Sequence, residues 1–268
     1  MFSHLRISQK VVIQVILIFI SVIWIVPLFT AVVESLKIGG FNNYLLVLNH
    51  PKISLPRVTY NSFFIATVSC LAVTFMVALA GYAFSKMQFK GKSIFYYSLL
   101  VCLAIPPAAI LTPLLITTKV LGLMDTHIAV ILPVVALQLP FMLMIVKNYF
   151  DTIPSPILEA ARIDGCTSFK VFYMIIVPLA KPALINALVL TFISAWNEYL
   201  IPLLFIRKPA KYTVTLATTY FSGGMHQTPD LLAQQYAALI LISLPSIVVY
   251  IFCQKYMQAG LTAGAVKS

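Results

Sequence analysis

The sequence predicts an all-α membrane protein with six transmembrane helices. Of its 268 residues, 61% are hydrophobic and 9% are charged, whereas soluble domains have about 45–50% apolar and about 25% charged residues. The hydrophobic residues gather in six runs close to the length of about 20 residues that a helix needs to cross a bilayer. Lipid cannot satisfy backbone N–H and C=O groups, so continuous runs of this length predict helices rather than barrel strands.

The first predicted span covers residues 11–33 and follows Arg6 and Lys10. It is longer than the core of a cleavable signal peptide, about 7–15 residues, and no small-residue cleavage site follows it, so we expect a signal-anchor helix. The whole chain, residues 1–268, is expected to form one transmembrane domain. The other spans are expected near residues 62–85, 94–117, 127–146, 183–206 and 236–254.

Prolines interrupt most of the predicted spans and remove helix hydrogen bonds there. Neighbouring helices or water can supply the missing partners, so two interpretations stay open: ordinary kinks, or helix breaks that line a transport path. The prolines concerned are Pro27, Pro106, Pro107, Pro133, Pro140, Pro202 and Pro245.

The positions of Lys and Arg predict that both termini lie in the cytoplasm. With that orientation, residues 86–92 form a short cytoplasmic loop with three lysines, the kind of loop that the positive-inside rule weighs most. The net charge of +11 is therefore read as membrane topology, and no nucleic-acid partner is expected. The four cysteines and four histidines are scattered, so neither a disulfide framework nor a metal site is predicted.

Two long segments lie between spans, one cytoplasmic at residues 147–182 and one external at residues 207–235. In the first, residues 157–163 are compatible with a helix, and Asp164-Gly165 predicts a turn. Thr167 or Ser168 then caps a second helix. From the residues alone, this segment suits either a partner-binding knob or an amphipathic loop at the membrane surface.

Several spaced elements follow one another in the cytoplasmic segment: Glu159-Ala160-Ala161, Asp164-Gly165, Ile176-Val177-Pro178-Leu179 and Pro182-Ala183-Leu184. Together they resemble the EAA loop of permeases of binding-protein-dependent ABC importers. The likeness extends over nearly the whole chain and is closest to the carbohydrate branch, in the smaller permease of maltose-type transporters. Further matching elements are Asn61-Ser62, Ile105-Pro106-Pro107, residues 121–126, Trp196-Asn197-Glu198-Tyr199 and residues 260–267. Cys166 departs from the alanine usual after the glycine, a small-for-small change.

This resemblance implies that residues 147–182 form a coupling loop whose helix sits in a groove of a cytoplasmic ATPase. Glu159, Ala160 and Ala161 would fill that groove, Asp164 would help to fix the turn, and Gly165 would permit it. Gly260, Leu261, Thr262 and Gly264 in the tail would reach the ATPase interface. Ser222, Gly223 and Gly224 would form the tip of a loop that enters the sugar-binding protein, although a plain solvated loop fits the sequence equally well.

Glu198 lies near the outer end of the fifth predicted span, where a carboxylate is a functional candidate. A role in gating or packing is favoured over substrate binding. The same assignment, possible gate or substrate path, applies to Trp196, Asn197 and Tyr199, for which an interfacial aromatic belt is the alternative.

Residues 91–93 (Gly-Lys-Ser) resemble the end of a phosphate-binding loop, but that motif needs a glycine at position 86, which is Lys86. ATP and Mg²⁺ are therefore expected in a partner ATPase, and no cofactor is expected in this non-catalytic chain. The alternative of an ion-coupled secondary transporter lacks paired ionisable residues near the middle of the membrane. An intramembrane enzyme would need a nucleophile–base pair or a metal cluster, which the spans do not contain.

The resemblance thus predicts a permease of the prokaryotic plasma (inner) membrane that imports a sugar or sugar derivative. Its expected partners are membrane lipid, a second homologous permease, two copies of an ABC ATPase and an extracytoplasmic sugar-binding protein.

Overall fold

The computed structural model describes residues 7–222 and 228–265. Within these ranges the chain is helical, with short 3-10 and π turns and no strand. In chain order the α-helices are α1 (Ile7–Lys37), α2 (Asn42–Leu48), α3 (Leu55–Lys86), α4 (Lys92–Val101), α5 (Pro107–Val120), α6 (Ile128–Asp151), α7 (Ser155–Ile163), α8 (Ser168–Val171), α9 (Val177–Leu179), α10 (Lys181–Asn197), α11 (Leu200–Phe205), α12 (Val214–Ala217) and α13 (Pro229–Ala265).

Four single helices in the described ranges are long and apolar enough to cross a membrane: α1, α3, α6 and the first part of α13. They coincide with the first, second, fourth and sixth predicted spans. Two bent pairs also pass the same test of length and composition, α4 with α5 and α8–α9 with α10. The fold is therefore an all-α membrane protein with four spans, or up to six if each bent pair is one span.

The third predicted span is broken rather than continuous. The stretch from Lys92 to Ala104 meets α5 at an angle of 102°. Ile105 and Pro106 have extended backbones, with ψ of 118° and 129°. Pro107 then starts α5, a position where its fixed φ and missing N–H are tolerated. The expected helix over residues 94–117 is thus interrupted at its centre, and here the prolines make a break and not a kink.

The fifth predicted span is also interrupted. Helix α10 ends at Asn197, Glu198 is extended, and α11 starts at Leu200. On the other side, α8–α9 and α10 meet at 75° near Ala180. By contrast, Pro133 and Pro140 lie inside the continuous helix α6 and Pro245 lies inside α13, so these prolines fit the ordinary interpretation.

The described backbone divides into two compact units. The first comprises the described parts of residues 1–55 and 218–243. In it, the Asn43 side chain donates a hydrogen bond of 2.8 Å to the carbonyl of Ser35, and the Ser35 and Tyr44 hydroxyls are 2.7 Å apart. These bonds fold α2 back against the end of α1. His50 packs edge-on against Phe221, and partial burial together with the charge of Lys52 lowers the pKa of its imidazole.

The second unit comprises the described parts of residues 56–217 and 244–268. Its core lies along α6 and α10. Helix α6 buries Val130, Val134 and Val146, while α10 buries Ala183 and Ala187. Small residues let helix backbones approach closely, which is how helices pack where lipid removes the hydrophobic driving force. The helix–turn–helix segment and the α10–α11 junction considered below both lie in this second unit.

Candidate functional site

Helix α7 has an exposed face with both polar and apolar side chains, and it packs on the protein body through two buried side chains. Leu158 and Ala161, three positions apart, are buried at 5% and 7% exposure. Glu159 and Ala160 are exposed, and Ile163 is 86% exposed. The period of three to four residues makes one side of the helix face the protein body. Of the three EAA residues, two therefore face outward and Ala161 faces inward.

The end of α7 is closed by a Schellman turn centred on Gly165. The amide of Cys166 donates to the carbonyl of Ala161 at 2.9 Å, and the amide of Gly165 donates to the carbonyl of Arg162 at 3.0 Å. Gly165 has φ of +80°, a left-handed conformation that only glycine adopts without strain. The predicted turn at Asp164-Gly165 is confirmed.

A second helix follows this turn, as predicted. The Thr167 hydroxyl accepts a hydrogen bond of 3.4 Å from the amide of Lys170 and caps α8. A π turn over residues 172–176 leads to α9 and to the 75° bend before α10. The segment is therefore joined to the fifth predicted span through a non-standard backbone. Such π turns inside helices are frequent at functional positions.

The last turns of α3 hold both ends of this helix–turn–helix segment. The Lys86 ammonium donates a hydrogen bond of 2.7 Å to the carbonyl of Ile153, just before α7. The Tyr82 hydroxyl donates to the carbonyl of Ser168 at 3.2 Å, just after the glycine turn. Hydrogen bonds therefore join α3 to the chain on both sides of α7 and its turn.

A small charged cluster reinforces the first of these attachments. One Asp151 carboxylate oxygen accepts from the Ser85 hydroxyl at 2.7 Å, and the other pairs with the Lys147 ammonium at 2.7 Å. The Lys147 ammonium also lies 5.1 Å from the centre of the Tyr96 ring. Asp151 thus ties α3 to the end of α6, and Lys147 brings α4 into the same contact network.

Large apolar side chains remain exposed around the segment. Phe169, Tyr173 and Met174 are 73%, 67% and 65% exposed, close in sequence to the glycine turn. Ile163, which is also exposed, lies one helical turn after Glu159 on α7. Exposed apolar surface rimmed by polar groups is typical of a protein interaction site.

The second group of predicted residues lies at the junction of α10 and α11, and its members have different environments. Trp196 is buried at 1% exposure and stacks on Phe192, with ring centres 6.0 Å apart. Asn197 and Tyr199 are exposed. Glu198 caps α11, because its Oε1 accepts a hydrogen bond of 3.1 Å from the amide of Ile201. Packing is therefore an observed role of Trp196, and capping is one of Glu198.

Glu198 also lines a cavity of about 310 Å³ beside the break between α4 and α5. Two more polar side chains, Gln138 and Ser194, line it, and the Gln138 amide donates a hydrogen bond to the Ser194 hydroxyl. The other lining residues are Cys102, Leu103, Ile105, Pro107, Val134, Leu137 and Ile201. The two interrupted helices and α6 therefore share one partly polar cavity.

The chain that follows α11, residues 206–214, is held by three side chains. The Asp125 carboxylate accepts from the amides of Arg207 and Lys208. The Asn61 amide donates to the carbonyls of Ala210 and Tyr212, at 3.0 and 2.9 Å. The Ser62 hydroxyl accepts from the amide of Val214 at 2.8 Å. Asn61, Ser62 and Asp125 all belong to the elements that carry the family resemblance.

Two further groups of predicted residues are described only in part. Gly223 and Gly224 lie outside the described residues, and Ser222 is exposed at their edge. Gly260, Leu261, Thr262 and Gly264 continue the backbone of α13, which is described to Ala265. Among the described residues, no group of three or more His, Cys, Asp or Glu side chains is arranged to hold a metal ion.

Sequence analysis missed the Gln138–Ser194 pair and the attachments made by Lys86 and Asp151. A glutamine in the middle of an apolar run was the available signal for the first, since an uncharged polar residue there needs a partner. The attachments made by Lys86 and Asp151 had no separate signal in the sequence, because the positive-inside rule already explained the position of Lys86.

The helical fold and the helix–turn–helix segment agree with the class that the sequence predicted, a membrane permease of the ABC transporter type. The family model described as "Binding-protein-dependent transport system inner membrane component" matches residues 71–262, most of the chain. The chain belongs to this family.

Its curated relatives include sugar permeases. The trehalose/maltose transport system permease protein MalG of Thermococcus litoralis is 34% identical over 84% of this chain and 80% of that protein. The maltodextrin transport system permease protein MdxG of Bacillus subtilis is 30% identical over 99% of each chain. The predicted resemblance to carbohydrate permeases is confirmed.

Solved structures share the fold. A chain of a bacterial alginate ABC transporter, in complex with an alginate pentasaccharide-bound periplasmic protein, superposes with a TM-score of 0.71 at 13% identity, covering 91% of this chain and 93% of that one. A chain of the MetNI methionine ABC transporter, in an inward-facing conformation, gives a TM-score of 0.60 at 18% identity, covering 77% of this chain and 95% of that one.

Proposed function

We propose that this chain is one of two permease subunits of an ATP-driven importer, which moves a sugar or sugar derivative delivered by an extracytoplasmic solute-binding protein. The names of its curated relatives support the solute class. The observation that carries the proposal is the exposed face of α7, which is attached through the glycine turn and through α3 to the spans. Such a segment can receive motion from a soluble partner and pass it to the membrane helices.

In this proposal the chain crosses the inner membrane six times, with both termini in the cytoplasm. The bent pair of α4 and α5 counts as one span, and α10 with α11 counts as the fifth, while α8–α9 belongs to the coupling loop before it. The three lysines of residues 86–92 and the coupling loop at residues 147–182 then lie on the cytoplasmic side, as the positive-inside rule favours. Residues 207–235 lie outside, where Ser222, Gly223 and Gly224 would meet the binding protein.

The ATPase contact consists of the outward face of α7. Glu159 and Ala160 meet the groove of the ATPase, while Ala161 and Leu158 hold the helix to the permease body. Asp164 and Gly165 set the direction in which the chain leaves the helix. The tail residues Gly260, Leu261, Thr262 and Gly264 reach the same interface, and ATP and Mg²⁺ are bound by two ATPase copies and not by this chain.

Transport then requires two conformations of the spans, and ATP binding changes the balance between them. When the ATPases close, α7 moves with its groove, and α3 moves with α7 through Lys86 and Tyr82. The helix ends around Glu198 and Tyr199 gate the outer side. A ligand shifts such an equilibrium only by its differential affinity for the two states, which nucleotide binding supplies here.

Uptake by the reconstituted importer tests this proposal. Proteoliposomes containing the chain, its partner permease and its ATPase receive ATP inside, with the binding protein and a panel of radiolabelled sugars outside. We expect uptake of at least one sugar that stops when ATP is omitted and persists when ionophores collapse the ion gradients. Uptake that needs an ion gradient and no ATP would instead establish a secondary transporter.

Two substitutions in α7 test the coupling role. Glu159→Lys and Gly165→Pro are expected to abolish uptake while the complex still assembles in the membrane, whereas Glu159→Gln, which keeps the shape of the side chain, retains most of it. Intact uptake in Glu159→Lys or Gly165→Pro would remove the coupling assignment.

The native thiol of Cys166 allows a direct test of contact. A photoactivatable maleimide on Cys166, with the other cysteines replaced by alanine, should cross-link to the ATPase subunit. The matched control keeps only Cys102, which lies at the break between α4 and α5, and should not cross-link to the ATPase. Equal cross-linking from both thiols would argue against a specific contact at α7.

A further inference from the structure

A second cavity lies within the first compact unit, between the end of α1 and the start of α13. Its volume of about 410 Å³ is within the range of about 300–1,000 Å³ for small-molecule sites. Two charged side chains line it, and the Lys37 ammonium donates a hydrogen bond of 3.0 Å to the Glu34 carboxylate. The other lining residues are Ile38, Thr228, Pro229, Leu232 and Ala233. The cavity therefore combines an ion pair with a mainly apolar wall.

The length of α1 places this cavity at a membrane surface. Glu34 is 23 residues after Val11, where the apolar stretch of α1 begins, which is about 35 Å along the helix axis. The hydrocarbon core of a bilayer is about 30 Å thick. If the start of α1 lies at one surface, the Glu34–Lys37 pair lies among the headgroups of the other surface. In the proposed orientation this is the outer leaflet.

The neighbouring helix α2 has the character of a helix that lies in the membrane interface. Its Val47 side chain is buried, whereas its three leucines stay exposed. The exposed leucines are Leu45, Leu46 and Leu48, at 56%, 46% and 44%. Phe41, just before α2, is 78% exposed. Exposed apolar side chains beside a membrane span are expected to enter the boundary between headgroups and acyl chains, so the surroundings of the cavity meet lipid.

Before Lys37, α1 has an exposed apolar surface along which acyl chains can pack. Val33, Phe29 and Val26 precede Lys37 at intervals of three or four residues and therefore lie on the same side of the helix. They are 44%, 65% and 51% exposed. In the part of the chain that the structure describes, no residue in the most apolar stretch of α1 is buried. A lipid whose headgroup occupies the cavity can therefore place its acyl chains along α1.

The charges of the cavity match a ligand that carries both signs. Glu34 lies in the last turn of α1, where the helix dipole favours cations and disfavours acids. An exposed ion pair at this spacing adds little stability, so stability alone does not explain the acid. An ammonium has three hydrogens to donate and a carboxylate accepts up to about four hydrogen bonds, whereas the bond between Lys37 and Glu34 uses one of each. Both groups therefore retain capacity for a ligand.

The opposite wall adds a third polar group. The Thr228 hydroxyl accepts a hydrogen bond of 3.3 Å from the amide of Leu231, and a hydroxyl that accepts can also donate its hydrogen. Lys37 and Thr228 together offer donors to an anionic group, while Glu34 offers acceptors to a cationic group. Both walls of the cavity are therefore suited to one zwitterion.

We propose that this cavity binds the headgroup of a membrane phospholipid that carries a phosphate and a primary ammonium, as phosphatidylethanolamine does. Lys37 and Thr228 donate to the phosphate oxygens, and the lipid ammonium donates to the Glu34 carboxylate. A phosphatidylglycerol headgroup leaves Glu34 beside an anion with no cation to offset it, and the trimethylammonium of phosphatidylcholine has no N–H to donate. The proposal does not depend on which solute the chain transports.

Native mass spectrometry of the complex tests the proposal. The chain is purified in detergent with its partner permease and ATPase, and is titrated with phosphatidylethanolamine, phosphatidylcholine or phosphatidylglycerol that have identical dioleoyl chains. The number of lipids retained, the Kd of each and the subunits present are measured. We expect one phosphatidylethanolamine per copy of this chain to bind about tenfold more tightly than the other two lipids, as expected for a charge-assisted hydrogen bond. Soluble glycerophosphoethanolamine should bind about a hundredfold more weakly, because it has no acyl chains.

Two variants separate the roles of the charges. Glu34→Gln should remove the preference for phosphatidylethanolamine over phosphatidylglycerol, since it removes the acceptor charge that faces the ammonium. Lys37→Gln should weaken both lipids about tenfold and keep their order, since both contain the phosphate. Asp230→Asn and Lys52→Gln are the matched controls: they remove charges from side chains that the described lining does not include, and should match the wild type. Unchanged thermal unfolding in lipid-free detergent shows that the variants fold.

Four results would overturn the proposal. Equal Kd values for the three lipids, or equal losses in the control variants, would show that the cavity does not select a headgroup. Tighter binding of phosphatidylglycerol would make it a phosphate site without a role for Glu34. Glycerophosphoethanolamine that binds as tightly as the lipid would identify a soluble ligand. Loss of the partner permease from the Glu34→Gln or Lys37→Gln complex would assign the cavity to the contact between subunits.

Discussion

The carboxylate of Asp125 accepts a hydrogen bond of 2.6 Å from the backbone amide of Arg207, a residue 82 positions further along the chain. The same oxygen accepts a bond of 3.0 Å from the amide of Lys208, and the Asp125 amide donates to the carbonyl of Phe205 at 3.0 Å. Asp125 adopts a left-handed backbone with φ of +60° to make these bonds. One strained residue thus joins the loop before α6 to the chain after α11.

Replacing Asp125 should loosen that connection without unfolding the helices. Asp125→Ala removes the acceptor of both hydrogen bonds, so we expect hydrogen exchange at residues 206–212 to quicken by about tenfold, in line with losing charge-assisted hydrogen bonds at an exposed site. Asp125→Asn keeps one acceptor oxygen and should lie between Ala and wild type. Exchange that is unchanged in Asp125→Ala would show that Asn61 and Ser62 hold the segment alone.

The pH dependence of the same contact has a defined sign. The hydrogen bond from the Arg207 amide is the main cause that lowers the pKa of Asp125 below its ordinary value of 3.8. A carboxylate with a lowered pKa stabilises the folded state above its ordinary pKa and loses that effect as the pH falls through the lowered value. The exchange rate of residues 206–212, corrected for the intrinsic pH dependence of amide exchange, should therefore be flat above about pH 4 and quicken below it, and Asp125→Asn should not show this step.

The left-handed conformation of Gly165 predicts a graded series. No atom lies within 4 Å of a Cβ built at this position, so only backbone strain opposes substitution. Gly165→Asn should be tolerated best, Gly165→Ala should cost about 1–2 kcal/mol locally, and a β-branched Gly165→Val should cost more. ATP-driven uptake is expected to fall in that order, and a flat series would show that the turn does not control coupling.

The close approach of α3 to α6 predicts a size limit at Gly81. A Cβ at this position would lie 3.2 Å from Val146 Cγ1 and 3.5 Å from the Phe150 ring. Gly81→Ala requires a small shift of Val146, whereas Gly81→Leu should destabilise the protein by about 1–3 kcal/mol through overpacking. Thermal unfolding of the purified protein measures this effect. Val146→Ala should rescue part of the loss in Gly81→Leu but not in an unrelated destabilised variant.

His127, at the start of α6, should be neutral at physiological pH. Partial burial and the nearby charge of Lys211 lower the pKa of its imidazole below 6.5. A histidine with a lowered pKa is more protonated in the unfolded state, so stability should fall as the pH drops below about 6.5. Thermal unfolding between pH 8 and pH 5 should show a shallower acid loss for His127→Gln. An equal slope in both proteins would exclude His127 as the cause.

The helix–turn–helix segment was the part of the candidate site that the sequence predicted best. Its helix, its glycine turn and its threonine cap depend on residues within a few positions of each other, and local preferences of Pro, Gly and Thr fix them. The sequence did not show that Ala161 faces inward. It also did not show that Lys86 and Tyr82 of α3 donate hydrogen bonds to backbone carbonyls on either side of α7 and its turn. Those contacts join residues about 70 to 90 positions apart.

Hydropathy alone does not predict where the membrane helices are interrupted. Residues 94–117 and 183–206 are apolar enough to be drawn as continuous spans, but α4 and α5 meet at 102° and α10 ends at Asn197. Proline at positions 106 and 107 permits a break, as proline at 133 and 140 also does. Only packing around the site decides which prolines break a helix, because the freed backbone groups need local partners.

The sequence alone predicted that this is a helical membrane protein, that residues 147–182 contain a helix followed by a glycine turn, and that the chain resembles importer permeases. These properties follow from composition, from hydrophobic run length and from a motif whose residues are close together. The tertiary structure alone decided that Gln138, Ser194 and Glu198 share a cavity and that Asp125 holds the chain at Arg207. Such contacts bring together residues from distant spans, and no local propensity encodes which of them meet.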